Sequence, residues 1–376
     1  MHYTLHLTAD CNMKCDYCYV RRGSRAMSFE TAQKVIDNAV SGGQKKTGVA
    51  FFGGEPLLHK DLIRDTVQYA RKISEGIDNP GADAKFYFKL TTNGLLLDEE
   101  FVAFCKKENI FTAISMDGTP AAHNAHRLDR GGGGTYERAE RAAKLLLKYM
   151  PNSPVMMTVN PDTVYYYAES VEHLYSLGFA YILCGVNYSA KWGTSDINEF
   201  RRQYKKLARF YYDNTMAEKK FYLSPFEMKI YSHVNNRTYC GERCELSKNQ
   251  ISIAPDGSVY PCVEFVGDEK YKIGDVWSGV DAETRQKLFL HVDADKAGCG
   301  KCAIRNRCNH YCACQNKRAT GSVDEISPVL CRHEQTLLPI ADALAERLYK
   351  KRSGQFIQKH YNEHYPVLSV IEDRLK

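Results

Sequence analysis

The sequence predicts an α/β fold: a partial (β/α)6 TIM-like barrel followed by a C-terminal domain rich in cysteines, loops and hairpins. Over about the first 190 of its 376 residues, short β-rich runs alternate with amphipathic helical segments. Nine of the 14 cysteines lie between Cys240 and Cys331. One long polar and aromatic helix, expected at Ser195–Lys219, separates the two regions.

Six βα units are expected in the N-terminal region. The strands are predicted at Tyr3–Leu7, Val49–Phe52, Phe86–Leu90, Phe111–Ser115, Val155–Val159 and Tyr181–Gly185. Apolar residues three and four positions apart predict the helices Phe29–Val40, Leu62–Ile73, Glu99–Lys106, Tyr136–Leu147 and Val164–Leu177. Ser28 and Thr135 are the expected N-caps of two of them. Six units cannot close an eight-stranded barrel, so an open barrel is predicted.

Beyond residue 225 the pattern changes to short hairpins, the clearest being Ile251–Ile253 and Val259–Tyr260 around Pro255-Asp256-Gly257. A small cysteine-dense domain rarely buries enough apolar area by itself, so bound metal is expected to stabilise it. A final helix is expected at Leu337–Tyr349. The predicted domains are 1–225, 226–335 and 336–376.

Composition excludes several classes of protein. With 44% hydrophobic and 26% charged residues, the chain has the profile of a folded globular protein. The net charge of +6 is mild and spread along the chain, which does not indicate a nucleic-acid partner. No apolar run approaches the roughly 18 residues of a membrane span, and the first residues lack the pattern of a secretory signal. The expected location is the cytoplasm, where the cysteines serve as metal ligands rather than disulfides.

The first cysteine cluster, Cys11-x3-Cys15-x2-Cys18, directly follows the first strand. Parallel barrels build their active sites at this end of their strands. Three thiolates can hold three irons of a cubane cluster and leave the fourth iron open to a small molecule. A structural zinc site would need a fourth ligand, and His6 is expected to face another way because it alternates with Leu5 and Leu7.

This spacing, with Tyr17 directly before the third cysteine, resembles the radical S-adenosylmethionine (SAM) superfamily. Gly53-Gly54-Glu55-Pro56 after the second strand is similar to the motif with which that superfamily meets the amino group of the SAM methionine. Thr91-Thr92-Asn93-Gly94 and Ser115-Met116-Asp117-Gly118 also resemble strand ends of the superfamily. The resemblance implies that the three thiolates hold a [4Fe-4S] cluster whose open iron is chelated by SAM.

The resemblance also implies a set of SAM-binding residues. The glycines let the backbone approach the ligand, and Glu55 offers an acceptor to an ammonium group. Arg127 is either a partner of the SAM carboxylate or a solvated loop arginine, and His123 and His126 are expected at the surface because they lack metal-ligand spacing. The implied SAM-binding residues are Tyr17, Gly53, Gly54, Glu55, Pro56, Asn93, Ser115 and Arg127.

The C-terminal cysteines resemble, in order and spacing, the auxiliary-cluster SPASM domain of peptide- and protein-modifying radical enzymes, which brings the implied total to three [4Fe-4S] clusters. One auxiliary cluster would be bound by Cys240, Cys244, Cys262 and Cys312, and the other by Cys299, Cys302, Cys308 and Cys331. If Cys240 is not a ligand, the first of these clusters has an open iron. Cys314, two residues from the proposed ligand Cys312, is either an alternate ligand or not a ligand at all. Two zinc ribbons would use the same thiolates, and iron and sulfide analysis separates the two interpretations.

The resemblance implies reductive cleavage of SAM to a 5′-deoxyadenosyl radical that abstracts hydrogen from the substrate, with an external one-electron donor such as flavodoxin or ferredoxin. Two auxiliary clusters favour a net oxidation of that substrate. The motif layout also resembles the anaerobic sulfatase-maturating enzymes, which convert Cys or Ser to formylglycine. That family usually has an aspartate, the proposed base, directly after the cysteine of Tyr260-Pro261-Cys262, where this chain has Val263.

The missing aspartate determines which substrate the sequence favours. Val263 cannot accept a proton, and the other candidate base, Glu264, would point to the opposite face of an extended segment. A peptide maturase that forms a thioether or another crosslink in a ribosomally made peptide is therefore favoured over a sulfatase-maturating enzyme. Since no recognition domain is expected before the first strand, either a separate leader-recognition protein or direct capture of the peptide by the C-terminal domain would be needed. The alternative of another class is a non-enzymatic cysteine-rich metal-binding or electron-transfer protein.

Overall fold

The computed structural model of the chain describes residues 1–76, 84–236, 246–293 and 296–375. These residues form two compact units. The first contains the described parts of 1–115, 124–153 and 245–294, and the second those of 116–123, 154–244 and 295–376. Because each unit is assembled from separated stretches of the chain, the domain boundaries near residues 225 and 335 remain predictions.

The described residues form the following helices and strands. The strands are β1 (His2–Thr8), β2 (Lys46–Gly53), β3 (Lys85–Thr92), β4 (Phe111–Ser115), β5 (Val155–Val159), β6 (Tyr181–Val186), β7 (Tyr222–Leu223), β8 (Gln250–Ile253), β9 (Ser258–Tyr260), β10 (Gly274–Asp275) and β11 (Gly279–Val280). The helices are α1 (Phe29–Ser41), α2 (Lys60–Ser74), α3 (Glu99–Lys107), α4 (Pro120–His126), α5 (Tyr136–Tyr149), α6 (Tyr167–Ser176), α7 (Thr194–Met216), α8 (Ser224–Asn235), α9 (Ala282–Asp293), α10 (Ala313–Thr320), α11 (Pro328–Lys350), α12 (Gly354–Tyr361) and α13 (Tyr365–Leu375). All six predicted strands are present.

In the first unit, β1 to β4 run parallel as neighbours. One face of β1 to β3 is buried against α1 and α2, with Leu5, Leu7 and Phe51 fully enclosed. Alternation along β1 turns His6 to the other face, where its ring meets the Phe52 ring edge-on at 5.4 Å between centroids. This is the orientation that the sequence predicts for His6.

The two expected helix caps differ in outcome. The Ser28 hydroxyl accepts a hydrogen bond from Thr31 N at 3.1 Å, so it caps α1 as predicted. Thr135 occupies the N-cap position of α5 as predicted, and its carbonyl accepts a bond from Ala139 N at 3.0 Å, but its hydroxyl makes no capping bond. Its hydroxyl donates instead to the Arg127 carbonyl at 2.6 Å and fastens the loop that leads into the helix.

The hairpin of the cysteine-rich region joins the barrel sheet. β8 pairs in parallel with β1, and β9 pairs antiparallel with β8, with Ser252 opposite Tyr260. Ile251 and Ile253 thereby enter the same core as Leu5. The sequence assigns this hairpin to a separate domain because periodicity reports buried faces but not which strands are neighbours. β8 covers an edge of β1 that would otherwise present unpaired backbone groups.

In the second unit β5, β6 and β7 run parallel, and the 23-residue helices α7 and α11 pack against each other. Helix α11 begins earlier than the helix predicted at Leu337–Tyr349, because the Ser327 hydroxyl caps it by accepting a bond from Leu330 N at 3.3 Å, and α12 and α13 follow it. Cys331 therefore lies in the first turns of α11. Lys229 and Glu334 form a buried ion pair at 2.6 Å. Within the described ranges, no helix combines the length and apolar character needed to span a bilayer.

Candidate active site

The three cysteines of the N-terminal cluster lie on the loop that joins β1 to α1. The Cys11 Sγ accepts a hydrogen bond from Met13 N at 3.4 Å, and Cys18 N donates to the Cys15 carbonyl at 3.3 Å. Cys11 and Cys15 are partly buried and Cys18 is exposed. Burial raises the pKa of Cys11, and the negative charges of Glu55 and Cys18 raise it further. The hydrogen bond from Met13 N lowers this pKa, but its effect is smaller than that of burial. A cation bound to this loop would counter these effects.

The end of β2 is pressed against the cysteine loop by backbone hydrogen bonds. Gly54 N donates to the Thr8 carbonyl at 2.8 Å, and Glu55 N donates to the Asp10 carbonyl at 2.9 Å. A Cβ on Gly54 would lie 2.0 Å from the Asp10 carbonyl oxygen. Gly53 has φ of +128°, and a Cβ there would lie 2.3 Å from the Thr8 carbonyl oxygen. This close approach of two backbones therefore requires glycine at both positions.

The Glu55 carboxylate ties β2 to β3. Its oxygens accept bonds from Leu57 N at 3.0 Å, the Thr92 hydroxyl at 2.6 Å and Asn93 N at 2.8 Å. The residue is only 1% exposed, and burial raises its pKa while these bonds act in the opposite sense. Pro56 starts the short 3-10 helix that follows. Since both oxygens already accept bonds from the chain, the observed role of Glu55 is to hold the two strand ends together.

Replacing Glu55 by glutamine is expected to destabilise the protein by about 1–3 kcal/mol, because one buried acceptor becomes a donor facing another donor. Urea unfolding of the anaerobic protein measures the change in the free energy of unfolding. Glu100→Gln is the matched control, since the Glu100 side chain is 84% exposed in its ion pair with Arg64 and such pairs contribute about 0–1 kcal/mol. Equal unfolding free energies for both variants would show that the three bonds to Glu55 contribute nothing.

Asn93 extends this connection from β3 to the cysteine loop. Its side-chain amide donates to the Asn12 side-chain oxygen at 2.7 Å and lies 3.7 Å from the Cys11 Sγ. The predicted site residue Asn93 is therefore beside the first cysteine. Sequence reasoning missed Asn12, although its position directly after Cys11 makes it a candidate for any contact to that loop.

Tyr17, on the cysteine loop, contacts both His126 and Arg127. The Arg127 guanidinium lies over the Tyr17 ring at 5.5 Å, and the Tyr17 and His126 ring centroids are 5.7 Å apart. His126 Nδ1 lies 2.9 Å from an Asp16 carboxylate oxygen. His126 and Arg127 are each 8% exposed, and His123 is also buried. The expectation that the two histidines lie at the surface is therefore wrong, and Arg127 is not a solvated loop arginine.

A second arginine, Arg130, holds the loop from outside and was missed by sequence reasoning. Its Nε donates to the Cys11 carbonyl at 2.8 Å, and its guanidinium pairs with the Asp10 carboxylate. Asp10 in turn accepts a bond from Cys11 N at 2.9 Å. The Leu128 carbonyl accepts a bond from Lys14 N at 2.7 Å nearby. Arg130 and Leu128 therefore contact residues more than a hundred positions earlier in the chain, and the spacing of a motif cannot reveal such contacts.

Two further predicted residues have defined local structure. Ser115 is the last residue of β4 and is partly buried. The extended conformation expected around Glu264 is wrong: Val263–Phe265 is a 3-10 helix closed by a bond from Phe265 N to the Cys262 carbonyl at 3.1 Å. Successive side chains in such a turn do not point to opposite faces. The catalytic role of Glu264 and the cofactor contact of Ser115 remain predictions.

The predicted auxiliary-cluster cysteines are divided among different parts of the chain. Cys240 and Cys244 lie outside the described residues. Cys262 belongs to the first unit, and the second unit carries Cys299, Cys302, Cys308, Cys312 and Cys331. Across the described ranges, no three His, Cys, Asp or Glu side chains are already gathered to hold a metal ion. Both auxiliary ligand sets therefore remain predictions, as does the role of Cys314, whose Sγ is 3.4 Å from that of Cys312.

The N-terminal site fits an iron–sulfur cluster and SAM in its donor chemistry. Three thiols on one loop are the soft donors that iron–sulfur clusters use. Gly53 and Gly54, which have no side chains, lie with their backbone directly against that loop. Cys11, Cys15 and Cys18 would hold the cluster, and the contacts of Gly53, Gly54 and Asn93 with SAM remain predictions.

Comparison with known proteins identifies this domain. The Radical SAM superfamily matches residues 5–174. The chain is 24% identical over 331 residues to the cysteine-type anaerobic sulfatase-maturating enzyme of Clostridium novyi, covering 82% of both chains. It is 22% identical over 400 residues to the serine-type enzyme of Bacteroides thetaiotaomicron, covering 93% of this chain and 92% of that enzyme.

A solved structure has the same fold. Native anSMEcpe with bound AdoMet and Cp18Cys peptide superimposes with a TM-score of 0.80 at 21% identity, over 93% of this chain and 99% of that chain. The predicted α/β fold, a partial barrel with an additional C-terminal domain, is therefore confirmed. A radical SAM domain works with a [4Fe-4S] cluster and SAM. Residues 5–174 are such a domain, and the chain is an enzyme that carries it and is homologous to the anaerobic sulfatase-maturating enzymes.

Proposed function

We propose that this enzyme matures a sulfatase, the role for which its relatives are named, and that it does so by oxidising a cysteine or serine of the protein to formylglycine. The observation that supports this most is the extent of the likeness, which covers 82% of this chain and of the Clostridium novyi enzyme and is not confined to the barrel. The structure of anSMEcpe with a Cp18Cys peptide supports a polypeptide substrate. These relatives favour sulfatase maturation over the crosslinking reaction that the sequence favours.

In this proposal Cys11, Cys15 and Cys18 hold the cluster that binds SAM. The bound cluster and SAM supply a one-electron cleavage that yields a hydrogen-abstracting radical. The chain's own residues position these groups: Glu55 fixes the end of β2, and Arg130 fixes the Cys11 carbonyl. Such rigid support keeps the reacting groups aligned.

We further propose that the C-terminal cysteines hold two auxiliary [4Fe-4S] clusters in the sets predicted from sequence. Conversion of a CH₂–SH or CH₂–OH group to an aldehyde removes two electrons from the substrate in total, so an electron acceptor is required. Auxiliary clusters would supply this acceptor, and their cysteine-rich region lies within the 93% of this chain that the likeness to the Bacteroides thetaiotaomicron enzyme covers. An external donor such as flavodoxin or ferredoxin would deliver the electron that cleaves SAM.

A second candidate, crosslinking in a ribosomally made peptide, is favoured by one observation. Val263 directly follows Cys262, where the sulfatase-maturating family usually has its proposed base. Glu264 lies next to it on the 3-10 helix and is the ionisable group we propose as the base in either reaction. A separate leader-recognition protein would belong to this second candidate alone.

Mass spectrometry of a sulfatase-derived peptide distinguishes the two reactions. We expect the reduced enzyme with SAM to change the cysteine peptide by the loss of sulfur and two hydrogens and the gain of one oxygen, with water as the oxygen source and hydrogen sulfide as the leaving group. The serine peptide should lose two hydrogens only. Both products should react with hydroxylamine, because both carry an aldehyde. Omission of SAM is the control. Loss of two hydrogens from the cysteine peptide without hydroxylamine reactivity would indicate a crosslink, and 5′-deoxyadenosine without any peptide change would contradict both candidates.

A further inference from the structure

We propose that a groove between α7 and α11 binds an acidic amphipathic helical segment of the polypeptide substrate, through residues that take no part in the candidate active site. The inference rests on the proposed function in one respect, that the substrate is a polypeptide. It adds a recognition site on the enzyme for a part of the substrate distant in sequence from the modified residue.

The floor of the groove is apolar. The cavity between the two helices has a volume of about 380 Å³ and is lined along α11 by Ile340, Ala343 and Leu344. Leu344 is buried, whereas Ala343 is exposed and Ile340 is half-buried. Small and branched side chains here leave a trough between two long packed helices. Apolar side chains from a partner would lose water on entering it, which stabilises binding.

The rim of the groove is basic. Arg201, Lys205 and Arg209 line it from α7 at intervals of four residues, so they lie on one face about 6 Å apart. Arg347 closes the α11 side, with its guanidinium 3.8 Å from the centre of the Tyr212 ring. No carboxylate is among the residues that line the groove. A ligand that carries negative charges along its length therefore complements this rim.

These two features together favour a helical peptide over other partners. Basic side chains one turn apart match acidic residues at every fourth position of a bound helix, and the floor receives the apolar residues on the neighbouring stripe of that helix. Arg209 is already paired with Asp213 at 2.7 Å, whereas neither Arg201 nor Lys205 has an ion pair within the described part of the chain. An acidic redox partner would also be attracted by the basic rim. Interfaces with redox partners are small and polar, however, and do not bury an apolar trough.

The test uses the full-length anaerobic holoenzyme and a fluorescent model peptide of about five helical turns, with glutamate at every fourth position and leucine on the adjoining stripe. Fluorescence anisotropy measures its affinity at low salt. Lys205→Glu is expected to weaken binding about tenfold, because it reverses a charge on the rim. Lys206→Glu changes the neighbouring exposed lysine of α7, which does not line the groove, and should alter the affinity less than about twofold.

A second variant separates groove binding from charge attraction. Ala343→Trp fills the trough without changing any charge, and we expect it to weaken the model peptide about as much as Lys205→Glu does. Equal affinities for Lys205→Glu and Lys206→Glu would overturn the proposal. It would also be overturned if Lys205→Glu slowed reduction by a flavodoxin and left peptide binding intact, since the surface would then serve a redox partner. Failure of the proposed function appears separately, as an unmodified sulfatase peptide with the wild-type enzyme.

Discussion

Replacing Cys15 by alanine is expected to lower the rate of 5′-deoxyadenosine formation from SAM by more than about a hundredfold. The loop that joins β1 to α1 offers three thiols, and loss of one leaves too few to hold a cluster with a single open iron. The measurement is liquid chromatography of the nucleoside after anaerobic reduction with dithionite. Iron and sulfide per chain should fall in the same variant.

The matched control is Cys105→Ala. Cys105 is fully buried on α3, and burial raises the pKa of its thiol to about 11, as befits a neutral packing residue. We expect this variant to keep its iron content and to cleave SAM at the wild-type rate. If Cys15→Ala retained cleavage activity as Cys105→Ala does, the assignment of the N-terminal cysteines as cluster ligands would be wrong.

Gly54→Ala is expected both to destabilise the protein by about 1–3 kcal/mol and to abolish SAM binding. The added methyl group would lie 2.0 Å from the Asp10 carbonyl oxygen, a backbone atom that cannot rotate away. Either β2 or the segment leading into Cys11 must move, which breaks the bond from Glu55 N to the Asp10 carbonyl. Denaturant unfolding and isothermal titration with SAM measure the two effects.

Gly23→Ala is the control for this substitution, because Gly23 lies on the loop between β1 and α1 that Gly54 packs against. A Cβ at Gly23 would meet only the Ala9 Cβ, at an ordinary contact distance of 3.8 Å. Its unfolding free energy and SAM affinity should match those of the wild type. A Gly54→Ala protein that binds SAM normally would show that the close approach of the two backbones does not shape the cofactor site.

Local sequence patterns were sufficient for most of the fold. Alternation and helical period located the six strands and their helices because burial of one face is a property of neighbouring residues. The edge partner of β1 could not be found this way. β8 pairs with β1 across more than two hundred residues, and hydrophobic alternation in Ile251–Ile253 is the same for any neighbouring strand.

In the candidate site, too, features carried by neighbouring residues could be predicted and features that depend on distant residues could not. The cysteine motif and Gly53–Pro56 were visible because their chemistry is carried by adjacent residues. Arg130 and the burial of His126 were not, since both depend on a loop that folds back onto the cysteines. The backbone around Glu264 was misjudged for a related reason: the segment after Cys262 turns at once into a 3-10 helix, and Val263–Phe265 itself contains no glycine or proline.

Cys11, Cys15 and Cys18 are expected to hold a [4Fe-4S] cluster with one iron open to SAM. Electron paramagnetic resonance of the dithionite-reduced holoenzyme, recorded with and without SAM, tests this directly. We predict a [4Fe-4S] signal that changes when SAM is added, and a Cys15→Ala variant in which this change is absent. A spectrum indifferent to SAM in the wild type, or zinc in place of iron on this loop, would contradict it.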